Sequence, residues 1–562
     1  MCSFLILPKI YYNNLNENIK KQILKKLKLR GPDKINIIEY KDYIFIHSLL
    51  HFSGEITEQP LIDKKNDIVL CFNGEIYNYK EFGNYKSDTE MILKEYISNK
   101  TDFIHKLDGE FTFIIFDFKK KIIIQSPDIF KIKPQFYKIT NNGIIISTFR
   151  SIICKCCNLN NEYDNFDKNQ PILEKNLTIH ASIKSLEPNK FIIRNLNNFD
   201  IIEKKTIYEF DLRQYKNNYN DIYLQIENSI KKRVKNNNNG NVGLCLSSGY
   251  DSGAISCYLN KINFNYTSYS IKCFENIDIL EKRLNLNKKP YYYDVNEKTY
   301  LKFKNSYQKS VESTCISQYK QENEIYGYYN LKGDWAGVGL YYIFNQSKKD
   351  NIKIFLSGQG ADEIFSDYGW KGDSIKNLNS EIKNKNFPFS FCGNFPKDLK
   401  TIFPWPNFYR GLNECFIAKE EYTGSLFGIE TRYPFLDKNV VQEFLWLNNN
   451  LKNKYYKAPL HHYLTKNNYP FCPNQKFGFK VKPKEKLDYS KWLDKQLILL
   501  QNKCKKFKKN TIENYTLKKI LSTNNFKVCF EFGVFNGHNI NIISKHCTKV
   551  YGFDSFNKLQ DN

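Results

Sequence analysis

The chain is organised around residues 242–257, Val-Gly-Leu-Cys-Leu-Ser-Ser-Gly-Tyr-Asp-Ser-Gly-Ala-Ile-Ser-Cys. The short apolar run from Val242 to Leu246 has the length and composition of a buried strand. It halts at Ser247-Ser248-Gly249-Tyr250-Asp251-Ser252, and a helical spacing of apolar residues resumes at Ala254, Ile255 and Leu259. A strand feeding a Ser/Gly turn that opens a helix aims backbone N–H groups at one point, which suits an anion such as phosphate. The string lacks G-x-x-x-x-G-K-[ST], so it is no Walker A loop. Standing alone, it reads equally well as an ordinary turn.

With 562 residues the chain is long enough for two or three domains. At 41% hydrophobic and 25% charged residues it is globular rather than disordered. It has no run of 18 apolar residues, so no membrane span is expected, and the apolar opening Cys2 to Pro8 is too short for a signal peptide. The 15 cysteines are odd in number and scattered, which favours reduced thiols and a cytoplasmic setting. Cys154, Cys156 and Cys157 are followed by no second pair at zinc-finger spacing, so they predict no metal. The net charge is 84 − 59 = +25, but the lysines form no single block, so a solvated basic surface outweighs a nucleic-acid site.

Along the chain, residues 1–200 read mostly as strand with two helices. The helices lie at 18–29 and after the capping-box-like Ser87-Asp88-Thr89-Glu90; strand-like runs lie at 43–50, 68–72, 111–118, 121–125 and 143–148. Residues 201–218 are polar and read as a linker. A helix is predicted over 219–234, and beyond residue 242 strands at 266–271 and 353–356 alternate with helical stretches at 326–331, 339–345 and 439–447. That alternation predicts an α/β domain with a largely parallel sheet over 219–500. Residues 373–400 and 505–525 are poor in order signals, and no internal repeat is present.

Cys2 would become the first residue once Met1 is removed. A thiol beside its own free amine carries a built-in base. In spaced order there follow Arg30-Gly31-Pro32-Asp33, Gln59-Pro60-Leu61, Asn73-Gly74-Glu75-Ile76-Tyr77-Asn78, Ser87-Asp88, Leu107-Asp108-Gly109 and Phe111-Thr112-Phe113. Together these resemble the class II glutamine amidotransferases, which have an α+β N-terminal nucleophile (Ntn) hydrolase sandwich. The resemblance implies that Cys2 attacks the side-chain amide of glutamine. It implies that Asn73 and the Gly74 N–H form the oxyanion hole, and that Glu75 and Asp88 hold the glutamine α-amino group. One position departs: where the family has an Arg that grips the glutamine carboxylate, this chain has Leu49.

The stretch 247–252 resembles the pyrophosphate loop S-G-G-x-D-S of ATP pyrophosphatases. With Ser357-Gly358-Gln359-Gly360-Ala361-Asp362-Glu363-Ile364-Phe365, residues 428–437, Lys457 and 476–479, the second half resembles asparagine synthetase to about residue 480. The resemblance implies an α/β ATP-pyrophosphatase domain using ATP and Mg²⁺. Ser247, Gly249 and Ser252 would cradle the pyrophosphate. Asp251 and Asp362 would ligate Mg²⁺, and Leu246, Ile271, Ser357 and Gly358 would line the adenosine pocket. Lys457 would neutralise transition-state charge. Arg432 and Asp437 stay open between a structural ion pair and substrate contact. Gln359 stands where the family has Glu, and an amide cannot accept a proton.

The expected function is therefore ATP-dependent synthesis of asparagine from aspartate with glutamine-derived ammonia. The expected partners are the small molecules glutamine, aspartate and ATP, drawn in part by the positive surface, and the family leaves a homodimer open. Two alternatives remain at this stage: a sister amide ligase with another carboxylate or amine acceptor, or a catalytically weak binding protein. Residues 526–562, with Glu531, Gly533, Gly537 and Asp554, resemble the opening of an S-adenosylmethionine-dependent methyltransferase, cut too short to bury a core of its own.

Overall fold

Every residue of the strand Ser3–Pro8 is buried, and the pleat sorts them. Phe4 and Ile6 join one apolar cluster with Phe45, Val69, Cys71, Ile114 and Phe116, while Leu5 and Leu7 join another with Ile23, Leu27 and Ile152. The first cluster is the filling of a sandwich; the second glues a helix to its outer face. In this computed structural model the described residues are 1–52, 56–159, 182–235, 242–273, 275–312, 314–319, 325–366, 394–477, 479, 481, 526–532, 547–553 and 559–561.

The sandwich has two six-stranded sheets with antiparallel pairings. One runs in the order Lys184–Ser185, Phe136–Thr140, Gly143–Ser147, Ser3–Pro8, Tyr43–Leu49, Lys34–Tyr40. The other runs Ile201–Thr206, Lys190–Asn195, Ile122–Pro127, Gly109–Asp117, Ile68–Ile76, Leu61–Asp63. Phe45 and Phe116 meet edge-on across them with ring centroids 5.3 Å apart. Helix Glu17–Arg30, capped by Asn16, covers the first sheet. Helix Asp88–Asn99 covers the second through Met91, Ile92 and Tyr96. At its start Ser87 accepts from Glu90 N at 3.1 Å, and Glu90 reaches back to Lys86 N at 2.9 Å. The four layers, helix–sheet–sheet–helix, are the expected Ntn architecture.

The second half is built on a five-stranded parallel sheet, ordered Lys289–Tyr293, Thr267–Ile271, Val242–Cys245, Ile354–Leu356, Glu430–Arg432. The order reverses direction between Val242–Cys245 and Ile354–Leu356, which is where a parallel sheet opens a ligand crevice at its carboxyl edge. Both halves lie within the unit Met1–Pro483.

Two expectations are corrected. Residues 326–331 are not helical: Ile325–Asn330 is a strand paired antiparallel with Thr314–Tyr319. Its run of aromatic and β-branched residues prefers a pleated surface to a helix. The linker is also shorter than 201–218, because Ile201–Thr206 is the edge strand of the second sheet, paired with Lys190–Asn195.

The unit Lys484–Asn562 contains parallel strands Phe526–Phe532 and Cys547–Phe553, with Leu559–Asp561 antiparallel to the latter. Gly533, Gly537 and Asp554 of the methyltransferase-like pattern lie outside the described residues, as does Gly478.

Candidate active sites

The first site forms at one end of the sandwich. Ser3 pairs with Ser48, and the His47 ring is hydrogen-bonded to the Phe72 carbonyl at 3.0 Å, so the start of the first strand lies against the strand carrying Asn73. Burial lowers the His47 pKa to about 4, so the ring is a neutral strut between the sheets. Cys2 is buried, its thiol 3.9 Å from the Leu50 carbonyl, and burial raises its pKa. The Asn73 side chain is fully buried, and neither its Oδ1 nor its Nδ2 has a hydrogen-bond partner. A buried amide left unmatched costs about 1–3 kcal/mol, which is what a site kept for a ligand oxygen looks like. Gly74 has φ +134°, and a Cβ there would fall 2.1 Å from the Glu110 carbonyl oxygen, so no other residue can present its N–H in this way.

Asp88 opens the helix Asp88–Asn99 and accepts from Ile76 N at 3.2 Å and Thr89 N at 2.7 Å. Burial and the neighbouring Glu75 carboxylate push its pKa up to about 8. Two carboxylates crowded in one buried corner make a site for an ammonium group. Leu49, 9% exposed at the end of its strand, supplies no cation. The guanidinium near this corner comes from the second half: Arg432 Nη2 lies 3.5 Å from Glu75 Oε2.

The second site is the crevice of the parallel sheet. Leu246 and Ile271, both buried, close the carboxyl ends of neighbouring strands, and Leu246 N donates to Tyr269 O at 3.0 Å. In the first loop Ser252 Oγ accepts from Ser247 N at 3.0 Å, and Gly249 N donates to Ser247 Oγ at 3.2 Å. Ser248 is turned away: its N–H donates to Glu275 at 2.7 Å, and its hydroxyl donates to the same carboxylate. Arg283, which sequence reading missed, donates to the Ser247 and Gly249 carbonyls at 2.5 and 2.7 Å. Gly253 makes room for it, since a Cβ there would sit 2.5 Å from Arg283 Nη2. Arg283 thus braces the loop through its carbonyls, while the Ser247 and Gly249 N–H groups bond to serine hydroxyls of the loop itself and the Ser248 N–H to Glu275.

The second loop meets the first at Gly358, where a Cβ would fall 2.5 Å from Asp251 Cβ. Ser357 N donates to Arg432 O at 2.9 Å, and Gln359 N to Ser357 Oγ at 3.1 Å. Gln359 Nε2 donates to Glu363 Oε1 at 2.8 Å, so this amide is engaged. Lys457 Nζ sits 2.6 Å from Asp251 Oδ1 and 3.0 Å from Asp362 Oδ1, and Lys476 is 2.9 Å from the same Asp362 oxygen. Against burial, Lys457 and Lys476 hold the Asp362 carboxyl well below its usual range, while burial pushes Asp251 up. Lys457 adopts a left-handed backbone, φ +47°, uncommon outside glycine and concentrated at functional positions. The two aspartates therefore converge on one cation, and their hard oxygens fit Mg²⁺ beside phosphate. Among the described residues, no group of three His, Cys, Asp or Glu side chains converges on a metal position.

Residues 1–205 match the glutamine amidotransferase domain family, and residues 222–387 match the asparagine synthase family. The chain joins a glutamine amidotransferase domain to an asparagine synthase domain. It is 25% identical over 468 residues to putative asparagine synthetase [glutamine-hydrolyzing] 1 of Methanocaldococcus jannaschii, covering 76% of this chain and 77% of the relative. The mouse asparagine synthetase [glutamine-hydrolyzing] is 25% identical over 465 residues, 76% and 74% of the two chains. That of Bacillus subtilis, number 1, is 26% identical over 378 residues, 63% and 56%.

Between the amidotransferase and synthase domains lies a buried ionic seam. Arg30 donates to the Cys2 carbonyl at 2.8 Å and pairs with Glu421 at 2.6 Å, and Lys133 pairs with Glu421 at 2.9 Å. Arg233 bonds Glu110 at 2.7 Å and Asp437 at 3.0 Å. Arg432 bonds Glu430 at 2.8 Å. Arg432 and Asp437 are thus members of the seam. No helix among the described residues is long and apolar enough to cross a membrane.

Proposed function

We propose that the chain makes L-asparagine from L-aspartate, using ATP and glutamine-derived ammonia through a β-aspartyl-adenylate, with AMP, pyrophosphate and glutamate released. The observation that carries this reading is the convergence of Asp251, Asp362 and Lys457 where the two loops touch at Gly358, in a chain that also holds the Cys2–Asn73 corner. Cys2 attacks the glutamine side-chain amide; the Asn73 amide and Gly74 N–H receive the oxyanion, and Glu75 and Asp88 hold the α-ammonium. Aspartate's side-chain carboxylate attacks the α-phosphorus of ATP. Ser247, Gly249 and Ser252 receive the departing pyrophosphate, Lys457 neutralises its charge, and Leu246, Ile271, Ser357 and Gly358 border the adenosine. Mg²⁺, held by Asp251 and Asp362, would supply a hard Lewis acid at the phosphates. Ammonia crosses between the domains sheltered from water. A cytoplasmic setting suits the free thiols of the described cysteines, and pairing of two copies belongs to the same reading.

The test supplies purified protein with ATP, Mg²⁺, aspartate and either glutamine or ammonium, and measures pyrophosphate and asparagine. Both nitrogen sources should support asparagine formation, with Leu49 raising the glutamine requirement. Cys2→Ala should abolish glutamine use and spare ammonium use. Loss of both in that variant, or pyrophosphate release only with a different carboxylate, would overturn the proposal.

A further inference from the structure

Among the described residues, a buried carboxylate with an unpartnered oxygen lies at the start of the second loop, and the reaction above gives it no role. Glu420 lies on the helix Leu412–Ser425, which packs along the neighbouring strand Glu430–Arg432. Its carboxylate is hydrogen-bonded to Ser357, the first residue of the second loop. Its charge also reaches Cys245, the last residue of the strand that feeds the first loop. The Ser357 bond therefore places Glu420 beside the carboxyl end of the strand Ile354–Leu356, at the start of the second loop. Its Oε2 is enclosed and has no hydrogen-bond partner.

Among the described residues, Asp251, Asp362, Glu363 and Glu275 beside the two loops are engaged. Asp251 and Asp362 face Lys457 at 2.6 and 3.0 Å. Glu363 accepts from Gln359 Nε2 through Oε1 at 2.8 Å and from Gly360 N through Oε2 at 3.0 Å. Gln359 itself is an amide with no proton-accepting role at neutral pH. Amide formation nevertheless releases a proton that must go somewhere.

We propose that Glu420 is the proton acceptor of the amide-forming step, taking the place of the carboxylate that position 359 lacks. This rests on the proposed function. The ammonia lone pair forms the C–N bond to the acyl carbon of the aspartyl adenylate, and the carbonyl π electrons move to its oxygen. One proton of the resulting ammonium passes to Glu420. The carbonyl then re-forms as the C–O bond to phosphorus-bound oxygen breaks, and AMP leaves with that electron pair. Glu420 afterwards returns its proton to water, so the step yields asparagine, AMP and one proton.

The surroundings suit this work. Burial pushes the Glu420 carboxyl up to about 7, aided by Glu421 on its own helix and Glu363 from the second loop, and opposed by the Ser357 hydroxyl and Lys419. Among the described residues Tyr433 and Cys245 also feel its charge, and burial raises both well above neutrality. A base that titrates near the working pH is the efficient one.

The test compares wild type, Glu420→Gln and Glu420→Asp from about pH 5.5 to about pH 9. It reads ammonium-dependent asparagine formation and aspartate-dependent exchange of labelled pyrophosphate into ATP. In Glu420→Gln, asparagine formation should fall on the order of 10²-fold with the acid limb of its pH profile lost, while exchange changes less than about threefold. Glu420→Asp should restore the limb. An unchanged profile in Glu420→Gln beside an active wild type overturns this step alone. Equal loss of exchange and amide formation also overturns it, because Glu420 would then only shape the nucleotide site through Ser357. A wild type silent in both assays overturns the proposed reaction and this step with it.

Discussion

At the scale of single residues, the proposed glutamine corner is defined by two carboxylates that repel each other. Asp88 titrates near 8 because it is buried and faces Glu75, against an ordinary value of 3.8. The folded chain therefore holds a proton there that the unfolded chain lacks at neutral pH. The group adds stability at low pH, and that stability is lost as pH rises from 3.8 towards about 8. An arriving α-ammonium reverses the sign by favouring the ionised form. Glutamine titrated into Cys2→Ala protein near pH 7 should then release up to about one proton, read as a dependence of the calorimetric heat on the buffer's ionisation enthalpy. Its affinity should rise by up to about tenfold per pH unit below about 8 and level off above. A heat that is the same in every buffer would place the glutamine α-amino group elsewhere.

At the scale of elements, the proposed ATP site depends on two loops packed against each other, and Gly358 against Asp251 is the contact. Its missing side chain leaves room for Asp251, whose Cβ would lie 2.5 Å from an added one. In Gly358→Ala the loops must part, and a displacement of about 1 Å costs on the order of 10²-fold in rate. Pyrophosphate release should fall by that factor while glutamine hydrolysis at Cys2 continues; equal loss of both would show that the loops are coupled to the amidotransferase domain. These loops were legible in the chain because each places Ser, Gly and Asp at fixed short offsets after an apolar run, a pattern set by backbone geometry. The strand Ile325–Asn330 was not, because Tyr and Gly scattered through a short apolar run fit either period until a partner strand is known. Arg283 was equally hidden. Its role arises from Gly253 and two carbonyls brought to it by the fold, and no spacing along the chain marks it.

At the scale of the whole molecule, the two domains are joined by charge taken out of water. Arg30, Lys133 and Glu421 are each at most 1% exposed, and they link the Cys2 carbonyl to the synthase helix Leu412–Ser425. Single motifs named several members of this seam, including Arg30, Arg432 and Asp437, yet not its function, since partners from opposite halves of the chain share no sequence pattern. Burial alone would raise the Glu421 carboxyl, but Lys133 and Arg30 lower it further than burial raises it. A depressed carboxylate contributes stability that is present above its unfolded value and lost as pH falls through its lowered titration range. Removing it takes the nearest counter-charge from the buried Arg30 and Lys133, which costs about 3–5 kcal/mol. The exposed pair Lys9–Glu39, 46% and 53% exposed, should cost less than about 1 kcal/mol when broken. Denaturant unfolding of Glu421→Ala and Glu39→Ala measures both differences. A Glu421→Ala midpoint no lower than that of Glu39→Ala would mean that the seam adjusts by admitting water, and that the domains are held together by their apolar contacts alone.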